Sequence, residues 1–270
     1  MRASPSLAVS LRNVAETIAI SAPTVIDAGL RRVTKERCDA RLDAWSRAVL
    51  GHARIRLEVS GTEHLAPGAT YVVMSNHQSF YDVPVLFRVF GPNIRMIAKS
   101  ELFRIPIFGG AMRAAGFIAL DREGGRDAVR SLGVARELLD RKTHVWIAPE
   151  GTRSADGTLL PFKPGAFLLA AEAGLPIAPV TLLGTREVLA PGAIRSNASA
   201  AVRVVVHPPF DAPARRAGKA ARRELMLRVR RAVESAMPAA GGAMPTIDPS
   251  IDAAGAISGG AGQSLSVEAG

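Results

Sequence analysis

The segment Ser75-Asn76-His77-Gln78-Ser79-Phe80-Tyr81-Asp82 sets an imidazole five residues ahead of a carboxylate. An imidazole takes up a proton near neutral pH, and a carboxylate on its second nitrogen fixes the tautomer and stabilises the imidazolium. The apolar run Tyr71–Met74 before it reads as a strand, and Val83–Phe90 after it reads as a helix. The polar residues therefore crowd a strand exit, with Asp82 placed to fold back onto His77. On spacing alone, a turn histidine and a helix-starting aspartate account for the same pattern.

A second polar cluster, Pro149-Glu150-Gly151-Thr152-Arg153-Ser154, follows the β-branched run Val145–Ala148. Arginine offers a planar fork to phosphate, and glycine lets backbone N–H groups approach an anion. The cluster reads as an anion cradle, or else as a polar surface loop. Lys99, at the end of the run Ile94–Ala98, and Lys163, in Pro161-Phe162-Lys163-Pro164-Gly165, can add positive charge to the same place or be solvated lysines.

These clusters need a frame, and the chain supplies short β-branched runs alternating with helical ones. Arg54–Val59, Tyr71–Met74, Ile94–Ala98, Phe117–Leu120, Val145–Ala148, Ile177–Leu182 and Val202–Val206 read as strands. Val83–Phe90, Arg126–Leu139 and Phe167–Ala173 read as intervening helices. The alternation predicts an α/β single domain with a mostly parallel central sheet flanked by helices.

Ahead of it, Leu7, Leu11, Val14 and Ile18, then Cys38, Leu42, Trp45 and Val49, recur at helical spacing on either side of an expected break at Ala22-Pro23. The pair is either a membrane-interface element or a helical cover on the core. Leu225, Val229, Ala232 and Val233 mark a last, basic amphipathic helix. The expected organisation is an N-terminal amphipathic segment (1–51), one domain (52–237) and a disordered Ala/Gly/Ser tail (238–270).

The formal net charge of +10 favours an anionic partner: nucleic acid, a membrane surface or a phosphorylated metabolite. Nine Lys or Arg residues fall between Arg203 and Arg231, against Asp211 and Glu224. Cys38 is the only cysteine, which excludes an intramolecular disulfide and a C-x-x-C metal site. His52, His64, His144 and His207 have no acidic partner at short spacing, and no metal is expected. The sequence has no G-x-S-x-G elbow, no phosphate-binding G-x-x-x-x-G-K loop and no G-x-G-x-x-G turn, so acyl-serine, nucleotide and dinucleotide chemistry drop out. Glu172, Pro176 and Pro179 interrupt the longest apolar run, and no transmembrane helix or cleaved signal is expected.

The segments at 75–82 and 149–154 resemble the first and third signature blocks of the glycerophospholipid acyltransferase family. Gly116-Phe117-Ile118-Ala119-Leu120-Asp121-Arg122 is similar to the second block, and Leu175-Pro176-Ile177-Ala178-Pro179-Val180 to the fourth. Together the four cover roughly residues 52–210. The third block usually opens with Phe where this chain has Ala148, and the charged segment before Arg54 stands where relatives often carry membrane-spanning helices.

The resemblance implies that His77, oriented by Asp82, is the base that moves a fatty acyl group from acyl-CoA or an acyl carrier protein onto the sn-2 hydroxyl of 1-acyl-glycerol-3-phosphate. It implies that Arg122, Glu150, Gly151, Thr152 and Arg153 place the lysophospholipid acceptor, with Lys99 assisting. The acyl thioester is a co-substrate, no cofactor is implied, and the expected setting is peripheral, on the cytoplasmic face of an anionic membrane. Other acceptors remain open: glycerol-3-phosphate, another lysophospholipid or an acylated amino-acid lipid. A non-catalytic basic module for membrane or nucleic acid is the reading from another class. The scarcity of aromatic residues speaks against nucleic acid, which is not an expected partner.

Overall fold

The computed structural model describes residues 4–120, 133–139, 141–213 and 217–238. After a short strand β1 (Ser4–Ser6), two long helices, α1 (Leu7–Gly29) and α2 (Lys35–His52), lead into the sheet. Each has a side-chain N-cap: Ser6 accepts from Val9 N–H and Thr34 from Arg37 N–H. The chain continues through β2 (Arg56–Ser60), β3 (Val72–Ser75), α3 (Asp82–Phe90), β4 (Ile94–Lys99), α4 (Phe108–Ala114) and β5 (Ile118–Leu120). Residues 133–139 are helical (α5). Then come β6 (His144–Ile147), α6 (Gly165–Ala173), β7 (Ile177–Leu183), the single turn α7 (Thr185–Val188), β8 (Ser196–Ala198), β9 (Ala201–Val206) and α8 (Lys219–Ser235).

Seven strands form one sheet in the order β2-β9-β7-β3-β6-β4-β5. Only the β7–β9 pair is antiparallel, so β2 and β9 run against the other five. β3 and β7, at its centre, are buried at every position, as a parallel strand covered on both faces requires. One face packs Val73, Ala178 and Val204 under α2 and α3, with Leu42, Val49 and Phe87 in the same cluster. The other packs Val72, Met74 and Ile177 under α5, α6 and α8, with Ala135, Phe167 and Val229. The mostly parallel α/β fold is thus as expected. It puts the residues that follow β3, β4 and β6 together at the carboxyl end of the sheet.

Several local expectations are corrected. Pro23 does not break the first helix but lies inside α1. Proline at a helix interior costs about 3 kcal/mol, and packing against α2 and α4 overrides that here. Beside it, the Thr24 hydroxyl donates to the Ile20 carbonyl at 2.7 Å and accepts from Arg41 at 3.1 Å. β2 starts at Arg56, not Arg54, because Arg54 takes a positive φ of 49° in the turn leaving α2. α4 is an additional helix, and it carries Gly109 and Gly110 in its first turn. A methyl group on Gly109 would stand 2.1 Å from the Phe103 carbonyl oxygen, so this helix needs its glycine to pack. The amino end of the expected helix Arg126–Leu139 and the tail from 239 lie outside the described residues.

α1 is attached in an unusual way. Only Val9, Ser21 and Thr24 are buried along it, and its inward stripe is polar. Asn13 donates to the Tyr81 hydroxyl at 2.7 Å and pairs with His52 Nδ1 at 2.9 Å. Trp45 Nε1 donates to Thr17 at 3.0 Å, and Arg41 donates to Asp27 at 2.6 Å. No helix among the described residues is long and apolar enough to cross a membrane.

Candidate active site

The turn after β3 brings His77 and Asp82 into contact. Asp82 opens α3, is fully buried, and its Oδ2 accepts from His77 Nδ1 at 2.6 Å, Gln78 N–H at 2.8 Å and Ser79 N–H at 3.0 Å. Two backbone donors thus lock the carboxylate, and the carboxylate locks the ring. With Nδ1 engaged, His77 presents Nε2 as its free basic atom.

The loop itself is tied down at both sides. Asn76 Nδ2 donates to the Leu182 carbonyl and its Oδ1 accepts from Leu182 N–H, both at 2.8 Å, so the side chain continues the β3–β7 pairing where the backbone leaves it. Ser154 N–H donates to the His77 carbonyl at 2.8 Å, and Gln78 donates to the Gly157 carbonyl at 3.0 Å. These last two join the two polar segments singled out in the sequence.

Trp146, on β6, was not anticipated. Its ring meets His77 edge-on, 5.3 Å between centroids at 86°, and its Nε1 donates to Ser75 Oγ at 2.9 Å. It walls the imidazole on one side. Its position two residues before the 148–154 turn, on the same strand face as Ala148, is the signal that could have found it.

Glu150 departs from its expected place among the substrate-facing residues. It is 2% exposed, and its carboxylate accepts from His77 N–H at 2.7 Å and Leu160 N–H at 2.8 Å. A carboxylate in a strand-exit turn faces inward when two backbone donors await it there. Burial pushes its pKa up to about 7, against the pull of those donors and of His77.

A carboxyl group raised in the folded state is favoured protonated. Its contribution is complete below the unfolded value near 4.5 and is lost as pH rises towards 7. The loss is on the order of 3 kcal/mol. Glu150→Gln is therefore expected to flatten the decline in unfolding free energy between pH 5 and 8, read from denaturant titrations at each pH.

The remaining expected residues share one cavity of about 1160 Å³ with His77. Lys99, Gly151, Thr152, Arg153 and Lys163 line it beside Trp146. Arg153 stacks its guanidinium 4.4 Å above the Phe80 ring, which holds the cation at the mouth. Gly151 has φ +73°, and a methyl group there would come within 3.1 Å of Lys163 Cδ and Nζ. The lysine stem thus runs over the space that the glycine leaves empty. Arg122 lies outside the described residues.

Away from these cations the lining is mostly apolar, with Asn13, Thr17 and Thr24 of α1 among its polar residues, and runs inward between α1, α2 and α4, past Leu42, Trp45 and Met112 to Cys38. Cys38 is buried, as expected of a small hydrophobe. The other histidines are held in the fold: His144 stacks on Tyr71 and accepts its N–H at 3.1 Å, and His207 pairs with Thr181 at 2.8 Å. The site thus has a base with a fixed tautomer, cations near it, and room for a long apolar chain.

Several known proteins resemble this chain. Residues 56–183 match the family described as Acyltransferase. A chloroplastic 1-acyl-sn-glycerol-3-phosphate acyltransferase of Brassica napus is 39% identical over 156 residues, 57% of this chain and 45% of that protein. The alpha form of the same enzyme from Mus musculus is 39% identical over 170 residues, 61% of this chain and 60% of that one. The aligned part spans about half the length of these relatives. Among solved structures, the 1-acyl-sn-glycerophosphate acyltransferase PlsC of Thermotoga maritima superposes with a TM-score of 0.63. It is 26% identical, and the match covers 84% of this chain and 97% of that one. Residues 56–183, the span that holds His77, Asp82, Glu150 and Arg153, are the part of this chain that carries the likeness to the acyltransferase family.

Proposed function

We propose that the chain transfers a fatty acyl group from a thioester donor, acyl-CoA or acyl carrier protein, to the sn-2 hydroxyl of 1-acyl-glycerol-3-phosphate, giving phosphatidic acid. The observation that carries this reading is the His77–Asp82 pair opening on an apolar cavity whose mouth holds Lys99, Arg153 and Lys163. His77 Nε2 takes the proton of the acceptor hydroxyl as that oxygen attacks the thioester carbonyl. The tetrahedral adduct then collapses, the C–S bond breaks, and the thiolate takes the proton from the imidazolium. No acyl-enzyme is required: holding two substrates together and supplying a base account for most of the acceleration.

The exposed apolar stripe of α1, from Leu7 through Ile18, supports peripheral attachment to a membrane surface. The acceptor would then be taken from the bilayer. Acyl transfer from labelled acyl-CoA and acyl carrier protein to a panel of lysolipids and glycerol-3-phosphate tests the proposal. Product from lysophosphatidate alone supports it, whereas transfer only to another acceptor keeps the chemistry and replaces the substrate.

Gly151→Ala supplies a finer check on the cations. Alanine at φ +73° costs about 1–2 kcal/mol and pushes the Lys163 ammonium aside. The acceptor KM should rise roughly threefold to tenfold with a smaller change in kcat. Steady-state kinetics with the acceptor varied at saturating donor measures both.

A further inference from the structure

Isolated apolar side chains on a protein surface need no explanation, but a cluster around one opening does. Of the large hydrophobic residues exposed among the described ones, six lie on α1 or at its C-cap, and two of these, Val14 and Ile18, line the cavity together with Phe80, Ile105, Ile107 and Ile194. Only Val134 and Leu227 stand elsewhere. Ile105 and Ile107 belong to neither α1 nor the signature segments. They flank Pro106 in the turn that leads into α4, and are 46% and 50% exposed.

That turn is built with effort. Ile107 has φ +63° and ψ −60°, a conformation that a β-branched residue rarely takes. The strain is held by a tight bond from Phe108 N–H to the Pro106 carbonyl at 2.7 Å, and by Gly109 N–H to the Ile105 carbonyl at 2.8 Å. Arg113 donates to the Phe103 carbonyl at 2.6 Å, and Phe103 itself is buried under Gly109. The turn is thus fixed to the fold and displays two isoleucines to water. α4 lies against α1, since a methyl group on Gly110 would stand 3.1 Å from Val25 Cγ2. Exposed cations sit around the patch: Lys99 and Arg104 before the turn, with Glu101 between them, and Arg31 and Arg32 beyond the end of α1.

We infer that the Ile105-Pro106-Ile107 turn is a second lipid-inserting element, which works with α1 to apply the mouth of the cavity to a phospholipid surface. A bilayer satisfies both halves of the patch: its acyl region takes the isoleucines, and its phosphates take the surrounding cations. The inference takes its choice of a lipid surface from the acyl transfer proposed above, but vesicle binding tests it whether or not transfer occurs.

The variant is Ile105→Ser/Ile107→Gly in the full chain, sedimented with vesicles of phosphatidylcholine and a minority of phosphatidylglycerol. Vesicle binding should weaken roughly tenfold, and Ile105→Ser alone should weaken it roughly threefold. The thermal midpoint of the double variant should hold or rise, because glycine accepts the positive φ and two isoleucines leave water. Transfer to a short-chain, monomeric lysophosphatidate should fall much less than transfer to a long-chain acceptor carried in vesicles.

Unchanged vesicle binding overturns the inference. So does an equal loss of transfer to the monomeric acceptor, which would make the turn part of the substrate pocket. Self-association of the wild type that the variant abolishes would assign the patch to a second copy of the chain. A wild type silent in transfer, with vesicle binding still lost in the variant, keeps the inference and removes the proposed reaction.

Discussion

His77→Ala is expected to lower acyl transfer by about 10³–10⁴-fold while the protein stays folded. Among the described residues, the imidazole is the one group lining the cavity with a free basic nitrogen and a partner that fixes its tautomer. Its backbone, not its side chain, carries the bonds to Glu150 and Ser154, and alanine keeps both. The variant should therefore unfold within about 1 kcal/mol of the wild type. Single-turnover transfer from a labelled thioester, with the unfolding curve recorded on the same preparation, gives both values. Transfer retained within threefold would place the base elsewhere.

Asp82→Asn should cost transfer about 10²–10⁴-fold with little loss of fold, whereas Asp82→Ala should lose both. An asparagine oxygen at the Oδ2 position still accepts from Gln78 and Ser79, so the turn keeps its shape. The amide oxygen can still hold His77 Nδ1–H, but the charge that stabilises the imidazolium is gone. Alanine leaves two buried backbone donors without an acceptor, which costs about 2–4 kcal/mol. Comparing the two thermal midpoints separates the structural bonds from the catalytic one. If Asn and Ala lose stability equally, the backbone bonds are not what holds the turn.

The chemistry was legible because its parts are nearly contiguous: His77 and Asp82 lie on one turn, and Gly151, Thr152 and Arg153 on another. The central strands were legible for a different reason. β3 and β7 are buried on both faces, so no charged residue alternates with the apolar ones along them. What failed were properties that only packing decides. Glu150 looks like a ligand in a polar motif and turns inward because the backbone of His77 and Leu160 waits there. Pro23 looks like a stop and is carried through by helices on either side. β1 and β8 pair antiparallel, but Ser4–Ser6 has no apolar alternation to announce a strand. The approach of Trp146 to His77 depends on the register between β6 and β3, which one strand's sequence does not encode.

The polar inner stripe of α1 makes this helix a separately opening unit. Its attachment combines packing against α2 and α4 with hydrogen bonds such as Asn13 to Tyr81 and Trp45 to Thr17, each worth about 1 kcal/mol net. The sheet's core, by contrast, is sealed by fully buried apolar side chains such as Phe87 and Phe167. Amide protons of α1 should thus escape into solvent through local opening, long before those of β3 and β7, which wait for the whole sheet to come apart. The helix proposed to meet the lipid is thus also less committed to the cooperative fold than the sheet is.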